Sequence, residues 1–342
     1  MQMAKRVVTL GEIMLRLSTP DHKRILQSES FDVNYGGGEA NVAIAVCNYG
    51  LNGVFVSKLP ENPIGQAAIN HLRKFGVDTS FVKRGGERMG VYYVESGASI
   101  RSSQVVYDRK DSSFAQAKVE EFDFDKVFEG ADWFHVSGIT PAISSQAARI
   151  AELALQKAKA KGITTSFDLN IRKKMWNAAQ ASESISNLWK YVDVAIGLEK
   201  DVFAALGYPL NDFDYAGKSN LKAFETSIHQ LQSAFGFKYV ASTLRMNQSA
   251  SYNELAGFIS DGKQFHLTKK YDIHIVDRVG SGDSFASGLI YGLISGKSMQ
   301  DAAEFGVAAS ALKHTFPGDT NYATIKEIEN LIHAGVGANV QR

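Results

Sequence analysis

A chain of 342 residues is long enough for one large α/β domain or two smaller ones. Its 37 Lys and Arg stand against 36 Asp and Glu, so the formal net charge of +1 gives no global field to draw nucleic acid or an anionic membrane. With 44% hydrophobic residues and 6 prolines, the composition is that of a packed globular protein rather than a disordered chain.

The start, "MQMAKRVVTLGEIM", lacks the long apolar segment and small-residue cleavage site of a signal peptide, and no apolar run reaches membrane-spanning length. The single cysteine, Cys47, sits in the apolar run "NVAIAVCNYG" and suits a reducing compartment, so a cytoplasmic location is expected.

In chain order, "RVVTLGEIML" reads as a strand and "EANVAIAVCNYG" as a helix that ends in glycine. Between them, "YGGGEANVA" places three glycines ahead of the helix. A dinucleotide fingerprint would put its third glycine where Asn41 stands and would follow the first strand directly. A dehydrogenase is therefore disfavoured, while a glycine turn with an asparagine amide suits a ligand rich in hydroxyls and carbonyls.

"GVFVSKL" and "PIGQAAINHLRKFG" continue the alternation of strand and helix. It resumes with "ADWFHVSG", "SSQAARIAELALQKAKAKG", "ITTSFDLN", "SESISNLWKY", "VDVAIGL", "EKDVFAALG", "NLKAFETSIHQLQSAFG" and "FKYVASTL". Such alternation predicts a parallel sheet between helices, with ligands beyond the C-terminal ends of the strands. Asp168, Asn170 and Asp277 all fall just after apolar strands. Two regions, roughly 14–35 and 81–109, break the rhythm with short β-like runs and read as an added antiparallel sheet, a lid over the site.

The last informative stretch is "DIHIVDRVGSGDSFASGLIYGLISG". Glycines between a strand end and a helix let backbone N–H groups converge at a helix N-terminus, which makes a phosphate site from Gly280, Ser281 and Gly282. Asp283, in the first helical turn, serves either as a helix cap or as the base for a hydroxyl that attacks a phosphorus held there.

Taken together, "GGGEANVA" and "DRVGSGDSFASG" resemble the two signature regions of the PfkB or ribokinase family of carbohydrate kinases, and the resemblance covers nearly the whole chain. It implies a ribokinase-like three-layer α/β/α sandwich with a small β-sheet lid, as a single domain over residues 1–342. It also implies ATP and Mg²⁺ as cofactors, Asp283 as catalytic base and Gly280, Ser281 and Gly282 as the anion hole.

Narrower stretches, "GEIMLRLSTP", "DLNIRKKMW", "TLRMNQSAS" and "KHTFPGDTN", look like the 2-keto-3-deoxygluconate kinases of that family. The implied reaction is phosphorylation of that sugar acid's terminal hydroxyl to the 6-phosphate. Arg172 matches the branch's substrate-binding arginine, and a guanidinium fork suits a carboxylate. The same resemblance assigns Gly37, Gly38, Asn41, Tyr92, Tyr107, Arg109, Asp168 and Asn170 to the sugar. Of the pair Tyr92 and Tyr93, alternation lets only one point inward. Leu198, Thr243, Arg245, Gly280, Gly282 and His314 are assigned to the nucleotide.

Leu198 and Asp201 replace an Asn-x-x-Glu common in the family, so no direct metal ligand is expected, and Asp201 would reach Mg²⁺ through water. The eight histidines show no zinc spacing. The expected partners are a small sugar acid and ATP, with no nucleic acid and no membrane; a homo-oligomer could pair through the lid sheet. A fructokinase or ribokinase acting on a neutral sugar is the alternative enzyme, and a sugar-binding regulator the alternative of another kind.

Overall fold

The computed structural model describes residues 4–170, 175, 177–198, 200–213, 215 and 219–334. Its strands are β1 (Arg6–Leu10), β2 (Met14–Ser18), β3 (Asp32–Gly36), β4 (Asn52–Leu59), β5 (Val82–Arg84), β6 (Val91–Glu95), β7 (Gln104–Asp108), β8 (Trp133–Ser137), β9 (Thr164–Asp168), β10 (Val194–Ile196), β11 (Tyr239–Asn247), β12 (Tyr252–Ser260), β13 (Phe265–Leu267) and β14 (Tyr271–His274). Ten of them form one sheet in the order β13-β12-β11-β10-β9-β8-β1-β4-β5, with β14 paired to β12 off that path.

From β11 to β5 all neighbours are parallel, as the strand–helix alternation predicts. These central strands are apolar on both sides because helices cover both faces. Val8, Leu10, Phe134, Val136 and Phe167 pack with the helices Ser145–Ala160, Ala178–Trp189 and Leu221–Phe235. Val7, Trp133, Val194 and Ile196 face the helices Gly38–Asn48, Ser281–Ile294 and Met299–Lys313. The three layers are therefore helix, sheet, helix.

Three features depart from the sequence-based expectation. The run "RVVTLGEIML" is not one strand: it breaks at Gly11, and β1 stays in the large sheet while β2 crosses to a small one. A side chain at Gly11 would collide with the Glu39 carboxylate, so only glycine fits at the break. Second, the small sheet, ordered β3-β2-β6-β7, is mixed rather than antiparallel, because its central pair β2–β6 runs parallel. Third, the far edge of the large sheet is antiparallel, built from β12, β13 and β14 against β11.

Candidate active site

The C-terminal ends of the parallel strands, the small sheet and the helix Ser281–Ile294 enclose a cavity of about 540 Å³. Its position is the one open α/β sheets give to ligands. Gly37, Gly38, Asn41, Tyr92, Tyr107, Arg109, Asp168, Asn170, Leu198, Thr243, Arg245, Gly280, Ser281, Gly282 and Asp283 all line it.

The glycine-rich turn before the last long helix has a physical cause. Gly280 is the N-cap, in the left-handed region at φ 83°, and any side chain there would strike the Asp319 carbonyl. The helix starts at Ser281, so Gly282 and Asp283 lie in its first turn. Early N–H groups of a helix have no intrahelical acceptor and carry the positive end of its dipole, which suits this turn to an anion.

Asp283 does not cap the helix, since the cap position is Gly280 and has no side-chain cap bond. The Asp283 carboxylate instead accepts a hydrogen bond from the Asn41 amide at 2.6 Å, from the opposite glycine-rich helix start. A methyl at Gly38 would stand 3.5 Å from Asp283 Oδ1 and 3.8 Å from Ser137 Oγ, so the missing side chain leaves a space beside the carboxylate.

Glu39 anchors this side of the cavity. Its Oε1 accepts from the Ser137 N–H at 2.9 Å, the Ser137 hydroxyl at 2.8 Å and the Thr140 hydroxyl at 2.7 Å, which ties the Gly38–Asn48 helix to the end of β8. Burial pushes the Glu39 carboxyl up, and the bonds from Thr140 and Ser137 oppose that shift.

The small sheet turns Tyr92 inward and Tyr93 outward, where Tyr93 meets Phe31. Tyr92 donates to Asp319 and stacks on Tyr107 at 5.9 Å between ring centroids. Burial, then the neighbouring Asp319 charge, pushes the Tyr92 phenol well up. Arg109 is held against a buried carboxylate. Its Nε donates to Glu12 at 2.9 Å, and Ser112 donates to the same carboxylate.

Below the anion turn lies a buried charge cluster that motif reading did not find. Arg16, 1% exposed, bonds Asp277 at 2.5 Å, Asp319 at 2.7 Å and Ser18 at 2.7 Å. Burial works against its charge, but Asp319 and Asp277 outweigh burial and hold its pKa above the ordinary value. The two carboxylates in turn accept from the N–H groups of Val279 and Gly318 and from Tyr92.

Two expected residues fall elsewhere. His314 does not line the cavity: it is 1% exposed, its Nδ1 lies 2.7 Å from the Ser310 carbonyl, and burial lowers its pKa to about 4. Asp201 lies on the short helix Lys200–Ala205, exposed and outside the cavity lining. Arg172 lies outside the described residues.

For a polyphosphate, the donors are of the right kind. Arg245 Nη2 lies 3.2 Å from the Ser281 hydroxyl, and Arg278 donates to the Ala250 carbonyl at 3.1 Å while its buried Nε has no protein partner. Guanidinium and backbone N–H groups around a helix start favour phosphate oxygens. Among the described residues no three acidic, cysteine or histidine side chains cluster to hold a metal, so a divalent ion would rest mainly on phosphate oxygens and water.

A helix start rich in N–H donors, a carboxylate beside it and a second glycine-rich helix start opposite are the parts a phosphotransferase site requires. The chain belongs to the pfkB family of carbohydrate kinases, whose family model matches residues 4–325. A 2-dehydro-3-deoxygluconokinase from Thermotoga maritima, known by crystal structure, is 48% identical at a TM-score of 0.92, with 96% of this chain and 98% of that one covered. A 2-dehydro-3-deoxygalactonokinase from Haloferax volcanii is 33% identical, with 97% of this chain and 98% of the relative covered. A Bacillus subtilis 2-dehydro-3-deoxygluconokinase is 27% identical over 94% of this chain and 93% of its own length. No helix among the described residues is long and apolar enough to cross a membrane.

Proposed function

We propose that this carbohydrate kinase transfers the γ-phosphoryl group of ATP to the terminal hydroxyl of 2-keto-3-deoxygluconate, the compound also called 2-dehydro-3-deoxygluconate. The observation that carries the proposal is the bond from Asn41 to Asp283, which joins the sugar side and the phosphate side of the cavity at one carboxylate. The gluconate form is favoured over the galactonate epimer because the relative at 48% identity bears the first name and the one at 33% the second.

Bound with Mg²⁺, ATP supplies the phosphoryl group, and the cation offsets the crowded phosphate charge. Asp283 takes the hydroxyl proton as the oxygen attacks, with its carboxylate oriented by Asn41. First-turn N–H groups of 280–283 stabilise the charge that develops on the transferred group. Arg245 and Arg278 flank the same turn and suit the nucleotide phosphates. The small sheet acts as a lid within a single domain, and Tyr92, Tyr107 and Arg109 face the sugar from it.

The direct test is turnover of ATP with a panel of sugar acids and neutral sugars. A higher kcat/KM for fructose or ribose than for the sugar acid would replace this proposal with a neutral-sugar kinase. Arg172→Leu sharpens the test: kcat/KM for the acid should fall ~10–150-fold, the equivalent of the ~1.5–3 kcal/mol of a hydrogen bond to a charged group. Neutral sugars should lose far less, and equal losses would remove Arg172 from the carboxylate.

A second expected result concerns the lid. Tyr107 is 41% exposed, and its ring stacks on Tyr92 with Arg109 Cζ 6.0 Å from its centroid. Tyr107→Ala should raise the sugar KM ~3–10-fold, the scale of one aromatic contact, and leave the ATP KM nearly unchanged. Equal shifts in both constants would mean that the strand only supports folding.

A further inference from the structure

Lys313 is 0% exposed, a burial that lysine seldom reaches without a purpose. It closes the helix Met299–Lys313, and its Nζ donates to the main-chain carbonyls of Asp277 at 3.3 Å and Phe316 at 3.2 Å. One turn back on the same helix, the Ser310 hydroxyl donates to the Ser281 carbonyl at 2.8 Å. Residues three apart on a helix share a face, so this one face holds the anion turn at its beginning, Asp277, and near its end, Ser281. The grip is reciprocal, because the N–H groups of Val276 and Asp277 both donate to the His314 carbonyl.

The charge count agrees. Arg16 already pairs directly with Asp277 and Asp319, so the lysine is not needed to hold those side chains. It supplies the second positive charge against two carboxylates, immediately beneath a turn that must attract an anion. Burial lowers the Lys313 pKa, while Asp277, Asp319 and Asp283 oppose that shift and Arg16 adds to it.

We propose that Lys313 is an internal cation of the transfer site, a positioning residue whose ammonium joins the 276–281 turn to the 314–319 segment and keeps the anion-hole N–H groups aligned. The inference rests on the reading that this turn receives the transferred phosphoryl. An ammonium group coordinated by carbonyls does the work that a bound monovalent ion could do, and here it is covalently supplied.

The test compares wild type, Lys313→Ala and Lys313→Met on whichever sugar the wild type phosphorylates, so a wrong choice of sugar leaves it intact. Wild-type kcat should be the same in sodium, potassium, ammonium and tetramethylammonium chloride at equal ionic strength. Lys313→Ala should lose ~10²-fold in kcat, as misaligned reacting groups do, with both KM values little changed. Ammonium or potassium, but not the larger tetramethylammonium, should restore part of that loss by entering the vacated space. Lys313→Met fills the space without charge and should show the loss without the rescue.

Wild-type kcat in either variant overturns the proposal, and so does a failure of small cations to rescue folded Lys313→Ala. Should neither variant fold, the wild-type salt series decides, since a requirement for potassium would mean that the lysine does not serve as the cation. A wild type inactive on every sugar would overturn the phosphotransfer reading itself.

Discussion

Asp283→Asn should lower kcat by ~10²–10⁴-fold, the usual contribution of a positioned general base, while ATP and sugar acid still bind. The geometry explains why binding survives. Asn41 donates to one Asp283 oxygen at 2.6 Å, and an asparagine can keep its carbonyl oxygen at that place. Its other group is then an NH₂ donor, where the attacking hydroxyl requires an acceptor. The helix itself should be unharmed, because Gly280 and not Asp283 is its cap. Calorimetric binding of both ligands, single-turnover transfer and a melting curve separate these effects. Near-normal transfer by the folded variant would remove the base assignment.

Arg16→Leu should destabilise the protein by ~3–5 kcal/mol, the range for removing one partner from a buried ion cluster. Asp277 and Asp319, 9% and 3% exposed, would be left without the guanidinium that contacts both. The loss should appear as a lower urea midpoint at an unchanged slope. Adding Asp319→Asn should return part of the stability, since one stranded charge is then gone, and this non-additivity distinguishes electrostatic loss from lost packing. A single variant within ~0.5 kcal/mol of wild type, the range of an ordinary surface change, would show that the cluster is well hydrated.

The parallel part of the large sheet was legible because its strands and helices are local patterns, apolar runs of five or so residues followed by helical spacing and a glycine stop, whereas its antiparallel edge was not. The division at Gly11 was not, since the apolar run continues on both sides and the side chain that crowds the break, Glu39, lies on another element. The parallel β2–β6 pair escaped for a similar reason: alternation marks a strand without naming its neighbour.

In the site, Asp283, Asn41 and the two glycine turns were legible because the backbone chemistry of each is written in consecutive residues. Glu12, Arg16, Asp319 and Lys313 were not, since a buried charge declares itself only through its partner. His314 was assigned to the nucleotide from its place in a segment, but its ring faces the Ser310 carbonyl rather than the cavity.

The Arg16–Asp319 pair spans 303 positions of the chain. On the ribosome, β1 and β2 emerge long before the residues that neutralise Arg16 exist, so neither the inner face of the small sheet nor the anion turn can settle early. Contacts of such range slow folding and leave partly formed sheets exposed while they wait. The nascent chain therefore carries Arg16 without its partners until Asp277 and then Asp319 emerge, and a product truncated before Asp319 would keep only the Asp277 half of the pairing. Completion of the charge cluster thus ties the docking of the small sheet to the settling of the 277–281 turn, and both wait for residue 319.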